Sequence, residues 1–247
     1  KVLSHERLSG YPASGGYDQE TIALRIKESF PDARILMVVR EQKSMIISMY
    51  NQYIIDGGSL SLKEYLNGID RKLYRAAQFR PEYYNYISAA RMYERHFGPD
   101  NLLCLPYEML RSNPELFISR ITDFCDVDCI DSREVEAISE ISVNMKRSHL
   151  ELGVRRLANK VFRTQLSNSG LPIISHAQLD FIFNKASPYF PKLQLFSKAR
   201  DRGAGDTVKR FVGSRYAPGN FELSQMTKID LREFGYDVPS EASSCRD

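Results

Sequence analysis

The hydrophobic pattern of this chain changes period abruptly between residues 35 and 53. Ile35-Leu36-Met37-Val38-Val39 is an unbroken apolar run with β-branched residues, the pattern of a strand covered on both faces in a parallel sheet. Arg40 follows at once, a permanent cation where such a strand ends. From about Lys43 the apolar positions recur every four residues, at Met45, Met49 and Tyr53 with Ile46 and Tyr50 beside them, as on one face of a helix. Strand, short turn, helix is the predicted unit. Asp56-Gly57-Gly58 ends it with residues that tolerate positive φ.

The same reading extends along the chain. Lys1-Val2-Leu3 reads as the end of a strand, and Gly10 to Tyr17 as a loop. Asp18 caps a helix running to Phe30 with Ile22, Ile26 and Phe30 on its buried side. Ser61 to Leu66 is a short helix with a capping-box start. The Tyr-rich segment from Tyr74 to Phe97 has helical spacing, and its rings belong to the core or line an acceptor pocket. Asn101 to Leu105 is a second apolar strand introduced by Gly98-Pro99-Asp100. Asn113 then caps a helix with Pro114 in its first position and Leu116, Ile118, Ile121 and Phe124 inward.

Farther on, Asn144 to Arg163 reads as an amphipathic helix showing its basic charges to water, or as a surface for an acidic acceptor or nucleic acid. Another helix is expected around Gln178 to Ala186. Arg200 to Asp206 reads as a glycine-containing basic loop. The order β-loop-α-β fits a parallel sheet with right-handed crossovers. No repeat or linker divides the chain, so residues 1–239 are expected to form one domain, with 240–247 a flexible tail.

Composition narrows the function classes. A chain of 247 residues with 43% hydrophobic and 26% charged residues can bury a substantial core. A net charge of +3 gives no global pull toward nucleic acid or an anionic membrane, so any basic site is local. No apolar run is long enough to span a bilayer. The four cysteines, Cys104, Cys125, Cys129 and Cys245, fit no zinc spacing, and reduced thiols in a cytoplasmic protein are the preferred reading over a Cys125–Cys129 bridge.

Candidate chemistry centres on the change of period. Ser44, Ser48 and Gln52 form a polar line four residues apart, and Arg40 lies in the turn before them. A guanidinium fork, a hydroxyl and a positive helix end converging there suit an anion, most naturally a phosphate, unless this is only a solvated arginine on a polar face. Open α/β sheets bind ligands at the carboxyl ends of their strands, which is where Arg40 falls. Ser4-His5-Glu6 follows the first apolar residues, where His5 or Glu6 is placed to take a proton from an acceptor hydroxyl. Histidine as a residue type exchanges protons near neutrality, whereas a glutamate needs an orienting hydrogen bond or a dry setting.

These residues resemble a known family. Arg40 and Ser48, in the form V-V-R-x(7)-S-x-Y, are similar to the 3′-phosphate-binding element of sulfotransferases that use 3′-phosphoadenosine 5′-phosphosulfate (PAPS). Upstream S-H-E-R-L-S-G, and downstream Y-x(2)-Y-x(3)-G-G with S-L-x-x-Y-L, resemble the bacterial branch. The resemblance implies a three-layer, P-loop-NTPase-like α/β fold with a central parallel sheet flanked by helices. It implies PAPS as sulfuryl donor, adenosine 3′,5′-bisphosphate as product, no metal, and a small-molecule, carbohydrate or lipid acceptor.

The same resemblance puts Tyr107, in P-Y-E-M-L, near the adenine, although Pro106 and Met109 replace the commoner Arg and Asp. It makes Arg202 and Gly203 candidates for a late loop closing the 3′-phosphate site, and His5 or Glu6 the base. The family's 5′-phosphosulfate loop, P-K/R-T/S-G-T-T, does not occur in this sequence. Either the sequence is a fragment whose N-terminal strand and phosphate loop lie ahead of Lys1, or the donor-activating half of the site is lost and the chain is, as an alternative, a catalytically silent nucleotide- or carbohydrate-binding module on the same fold.

Overall fold

A computed structural model describes residues 2–10, 15–68, 79–128, 130–131, 134–135, 147–162, 164, 166, 170–190 and 198–239. The two apolar runs form strands β1 (Ile35–Val39) and β2 (Leu102–Pro106). They pair in parallel in a two-stranded sheet, from Ile35 opposite Leu102 to Val39 opposite Pro106. Between them lie helices α1 (Gln19–Ser29, ahead of β1), α2 (Gln42–Ile55), α3 (Leu62–Leu66) and α4 (Tyr86–Phe97). After β2 come α5 (Tyr107–Ser112), α6 (Pro114–Cys125), α7 (His149–Val161), α8 (His176–Ala186), α9 (Lys198–Val212) and α10 (Ala217–Thr227). The result is α/β, with many helices around a small parallel sheet.

Several local expectations hold for the reasons given. Ser61 and Glu64 close a full capping box on α3. Asn113 caps α6 through its Oδ1, which accepts the Leu116 N–H at 3.0 Å, with Pro114 in the first turn. Val39, Leu105, Met109, Phe117, Leu223 and Leu231 form one core around the sheet's carboxyl end. Leu105 is fully buried, and truncating such a leucine to alanine typically costs about 2–5 kcal/mol. A second core gathers Ile46, Tyr53, Ile54, Tyr65, Phe79, Tyr84, Val208, Val212 and Tyr216, so the described part of the aromatic segment belongs largely to the interior. Tyr74 lies outside the described residues.

Other expectations fail. The β1 strand is not covered on both faces: Ile35 and Met37 pack toward α1 and α4, while Leu36 and Val38 are 42% and 47% exposed. Leu103 and Leu105 of β2 share the face of Leu36 and Val38 and pack with Phe117, Ile118 and Ile121 of α6. That helix covers β2 and leaves β1 bare. Residues 2–4 form no strand, and a 3-10 turn at Glu6–Ser9 follows them. Phe30 and Leu116, expected inward, are largely exposed.

The basic segment is helical as expected, but its faces are mixed. On α7, Leu152 is buried and Lys160 exposed, yet Glu151, Arg155 and Asn159 are also buried while Val154, Leu157 and Val161 face water. The reason is what α7 meets: the C-terminal end of α2, where helical carbonyls lack partners. Asn159 Nδ2 donates to Ile54 O at 2.8 Å and Gly58 O at 2.9 Å, Arg155 donates to Ile55 O, and Thr164 Oγ1 donates to Gly57 O at 2.9 Å. Arg155 is also ion-paired with Asp180 and lies over the Phe183 ring of α8. Gly57, at φ +103, has room for no side chain, since a Cβ there would meet Thr164 at 2.5 Å. Lys146 and Arg163 lie outside the described residues.

The expected loop at Arg200 to Asp206 is helical, within α9. Its apolar positions Val208 and Val212 are buried against α2. The backbone N–H groups at 202 and 203 then lie inside a hydrogen-bonded helix and cannot cradle a phosphate.

Candidate functional site

The register of the sheet builds the site. Val39 lies opposite Pro106, so the next residues, Arg40 and Tyr107, leave the two strands side by side at their carboxyl ends. The Arg40 guanidinium carbon is 5.8 Å from the Tyr107 ring centroid, and Arg111, one turn farther along α5, approaches the same ring at 5.5 Å. Arg40 Nε donates to Ser44 Oγ at 3.1 Å. Ser48 follows one turn later on α2, about 6 Å along the axis, and is half-buried. Arg40, Ser44 and Tyr107 thus belong to one neighbourhood, with Ser48 one helical turn beyond Ser44.

The turn between β1 and α2 is held from three sides. Tyr86 of α4 donates its hydroxyl to Arg40 O at 2.7 Å. Glu41 accepts from Lys43 N at 3.0 Å and Ser44 N at 2.8 Å, capping α2. The Glu41 N–H donates to Glu108 Oε1 at 3.0 Å, and Tyr236 donates to Glu108 Oε2 at 3.2 Å. Burial pushes the Tyr86 and Tyr236 phenols well above the usual tyrosine range, with the Glu108 carboxylate adding to both, so each is a fixed donor at neutral pH. A buried amide pair, Gln42 with Asn220, ties the first turn of α2 to α10 at 2.6 Å.

One part of the expected anion site is changed. The positive end of α2 does not present free amides, because the Glu41 carboxylate occupies those of Lys43 and Ser44. What this turn offers an anion is therefore side chains rather than those two amides.

The candidate bases lie elsewhere. His5 caps the 3-10 turn with Nδ1, which accepts the Arg7 N–H at 3.1 Å. Tyr93 of α4 donates to Leu8 O at 2.7 Å, and Ser9 and Tyr83 share a hydrogen bond at 3.2 Å, docking this turn on α4 and its approach. Tyr86 and Tyr93 are seven residues apart on α4, about 10 Å along its axis, so the His5 turn and the Arg40 turn are moored two helical turns apart. The Glu6 side chain and that of Arg202 lie outside the described residues. Sequence reasoning missed Arg111, Tyr86, Glu41 and Glu108. The i+4 spacing of Arg111 from Tyr107 was the one available signal.

Among the described residues no group of three or more His, Cys, Asp or Glu converges as metal ligands. Cys104 and Cys125 are free thiols. No helix among the described residues is long and apolar enough to cross a membrane.

Residues 22–131 match the family model described as Sulfotransferase family, a stretch containing Arg40, Ser48, Tyr107 and both strands. That match supports a sulfotransferase-family chain. A crystal structure of a sulfotransferase from Alicyclobacillus acidocaldarius aligns at 19% identity with a TM-score of 0.38, covering 57% of this chain and 57% of that one. The aligned part is thus little more than half the length of that protein, and at this similarity the alignment carries no further argument. No curated protein matches the chain.

Proposed function

We propose that this protein is a PAPS-dependent sulfotransferase, built on a three-layer, P-loop-like domain spanning residues 1–239, that transfers a sulfuryl group to a hydroxyl or amine of a small-molecule, carbohydrate or lipid acceptor. The observation that carries the reading is the meeting of Arg40, Ser44 and Tyr107 at the carboxyl ends of two parallel strands, inside the stretch that matches the family.

The residues present fit the nucleotide end of such a donor. Arg40 has no carboxylate partner among the described residues, because the nearby Glu41 and Glu108 are spent on backbone N–H groups and on Tyr236. A guanidinium held in place but not neutralised suits a phosphate monoester. In this reading Arg40 and Ser48 hold the 3′-phosphate, and Tyr107 lies by the adenine. When bound, PAPS supplies the sulfuryl group and leaves as adenosine 3′,5′-bisphosphate.

His5 or Glu6 removes the acceptor proton. With Nδ1 engaged by Arg7, a neutral His5 carries its proton on Nε2, and its one free lone pair, on Nδ1, takes a proton only after the cap opens.

The test is thermal. Adenosine 3′,5′-bisphosphate at about one hundred times its dissociation constant should stabilise the protein by about 2.7 kcal/mol, seen as a higher melting temperature. Arg40→Ala should abolish the shift. Absence of a shift in the unmodified protein overturns the reading. Transfer from PAPS to sugar, lipid, phenol and peptide acceptors then identifies the acceptor.

A further inference from the structure

We infer that Arg111 is a second anion-gripping residue, closing with Arg40 on one phosphate monoester beside Tyr107. This deepens the function proposed above and rests on it only for the identity of the nucleotide. The two guanidinium carbons lie 5.8 and 5.5 Å from the same ring centroid, yet they come from different elements, one from the turn after β1 and the other from α5. Tyr107 and Arg111 are four residues apart on α5, so they share a helix face, and Arg40 meets that face because Val39 and Pro106 are in register.

Two like charges gathered at one ring repel, and the ring's π face compensates only part of that repulsion. Elsewhere in the described structure arginines commonly pair with carboxylates: Arg34 with Asp126, Arg91 with Glu222, Arg155 with Asp180 and Arg232 with Asp230. Neither Arg40 nor Arg111 has such a partner among the described residues. The two acids that follow Arg40 and Tyr107 in sequence are already engaged, Glu41 by the Lys43 and Ser44 amides and Glu108 by the Glu41 amide and Tyr236.

A pair of unneutralised guanidinium forks gathered at one aromatic ring has the chemistry of a site for a doubly charged phosphate next to a planar base. The second cation of the site comes in this way from α5. Residues 200–206, expected as a loop around the phosphate, have their backbone within α9 instead.

The experiment is calorimetric titration of the full chain, Arg111→Ala and Arg111→Lys with three probes: adenosine 3′,5′-bisphosphate, adenosine, and inorganic pyrophosphate, at 50 and 200 mM salt. The expected result is a bisphosphate affinity roughly 10- to 100-fold weaker in Arg111→Ala, the scale of one charge-assisted contact. The salt dependence should be shallower, adenosine binding unchanged, and Arg111→Lys intermediate, with melting temperatures of the unliganded proteins within a degree or two. A purely structural arginine would shift adenosine as much as bisphosphate, and that outcome overturns the inference.

Equal bisphosphate affinity in the unmodified protein and Arg111→Ala also overturns it while leaving the function proposed above standing. If the bisphosphate binds no better than pyrophosphate but Arg111→Ala loses both, the anion grip stands and the nucleotide reading falls. If the unmodified protein binds neither anion, both fall.

Discussion

At the scale of single residues, the site depends on one hydroxyl more than its neighbours suggest. Tyr86 is the group that fixes the carbonyl of Arg40, and with it the direction in which the guanidinium leaves the strand. Tyr86→Phe keeps the ring and deletes the donor, leaving a carbonyl without its partner. The expected loss is about 1–3 kcal/mol in urea unfolding with an unchanged slope. A change of a few tenths would show that the contact is idle. Arg40 and Tyr107 were legible as individual residues because each directly follows an apolar run, and parallel pairing brings such positions together. Gln42 and Asn220 were not. Their amides meet across 178 positions of sequence, and nothing in either local pattern announces a partner.

At the scale of elements, the strands and α2, α3 and α6 were legible because their signals are local: an apolar run, a four-residue period, a capping serine, an asparagine before proline. α7 and α9 were misread for a common reason, that tertiary contact overrides a local preference. Gly203 and Gly205 weaken a helix by about 1 kcal/mol each relative to alanine, but α9 buries Val208 and Val212 against α2 and forms regardless. α7 buries a polar line four residues apart, Glu151, Arg155 and Asn159, because its neighbour is the carbonyl end of a helix rather than an oily face. Asn159→Ala should therefore destabilise the protein by about 1–3 kcal/mol, since it strands two carbonyls at once. Chemical denaturation checks this. A neutral result would mean that water replaces the amide at no cost.

At the scale of the whole molecule, the described tyrosines make the protein sensitive to alkali. Burial raises the phenols of Tyr84 and Tyr86 well above their usual range, pushes those of Tyr50 and Tyr93 up to about 12, and raises Tyr65, Tyr216 and Tyr236 further. The unfolded chain gives up those protons near pH 10. Below that pH both states hold them and stability is unaffected. Above it the unfolded state binds fewer protons than the folded one, so stability falls as pH rises. The tyrosinate absorbance of the buried phenols and the loss of circular dichroism should accordingly rise together in one step above pH 10. More tyrosinate in a still-folded protein than the exposed tyrosines, such as Tyr17 and Tyr189, can supply would contradict the burial. The likeness of residues 22–131 to the sulfotransferase family was legible from the residues around Arg40. The bare face of β1 was not, because an unbroken apolar run predicts cover on both sides and α6 sits over β2 alone.

The two phenol hooks on α4 make that helix a ruler. Its seven-residue interval, and neither loop by itself, sets how far the proposed base on the 3-10 turn stands from the proposed anion grip after β1. Adding or removing one residue between positions 86 and 93 would rotate one hook about 100° away from the other and unmoor one of the two stations, with every residue of both left intact.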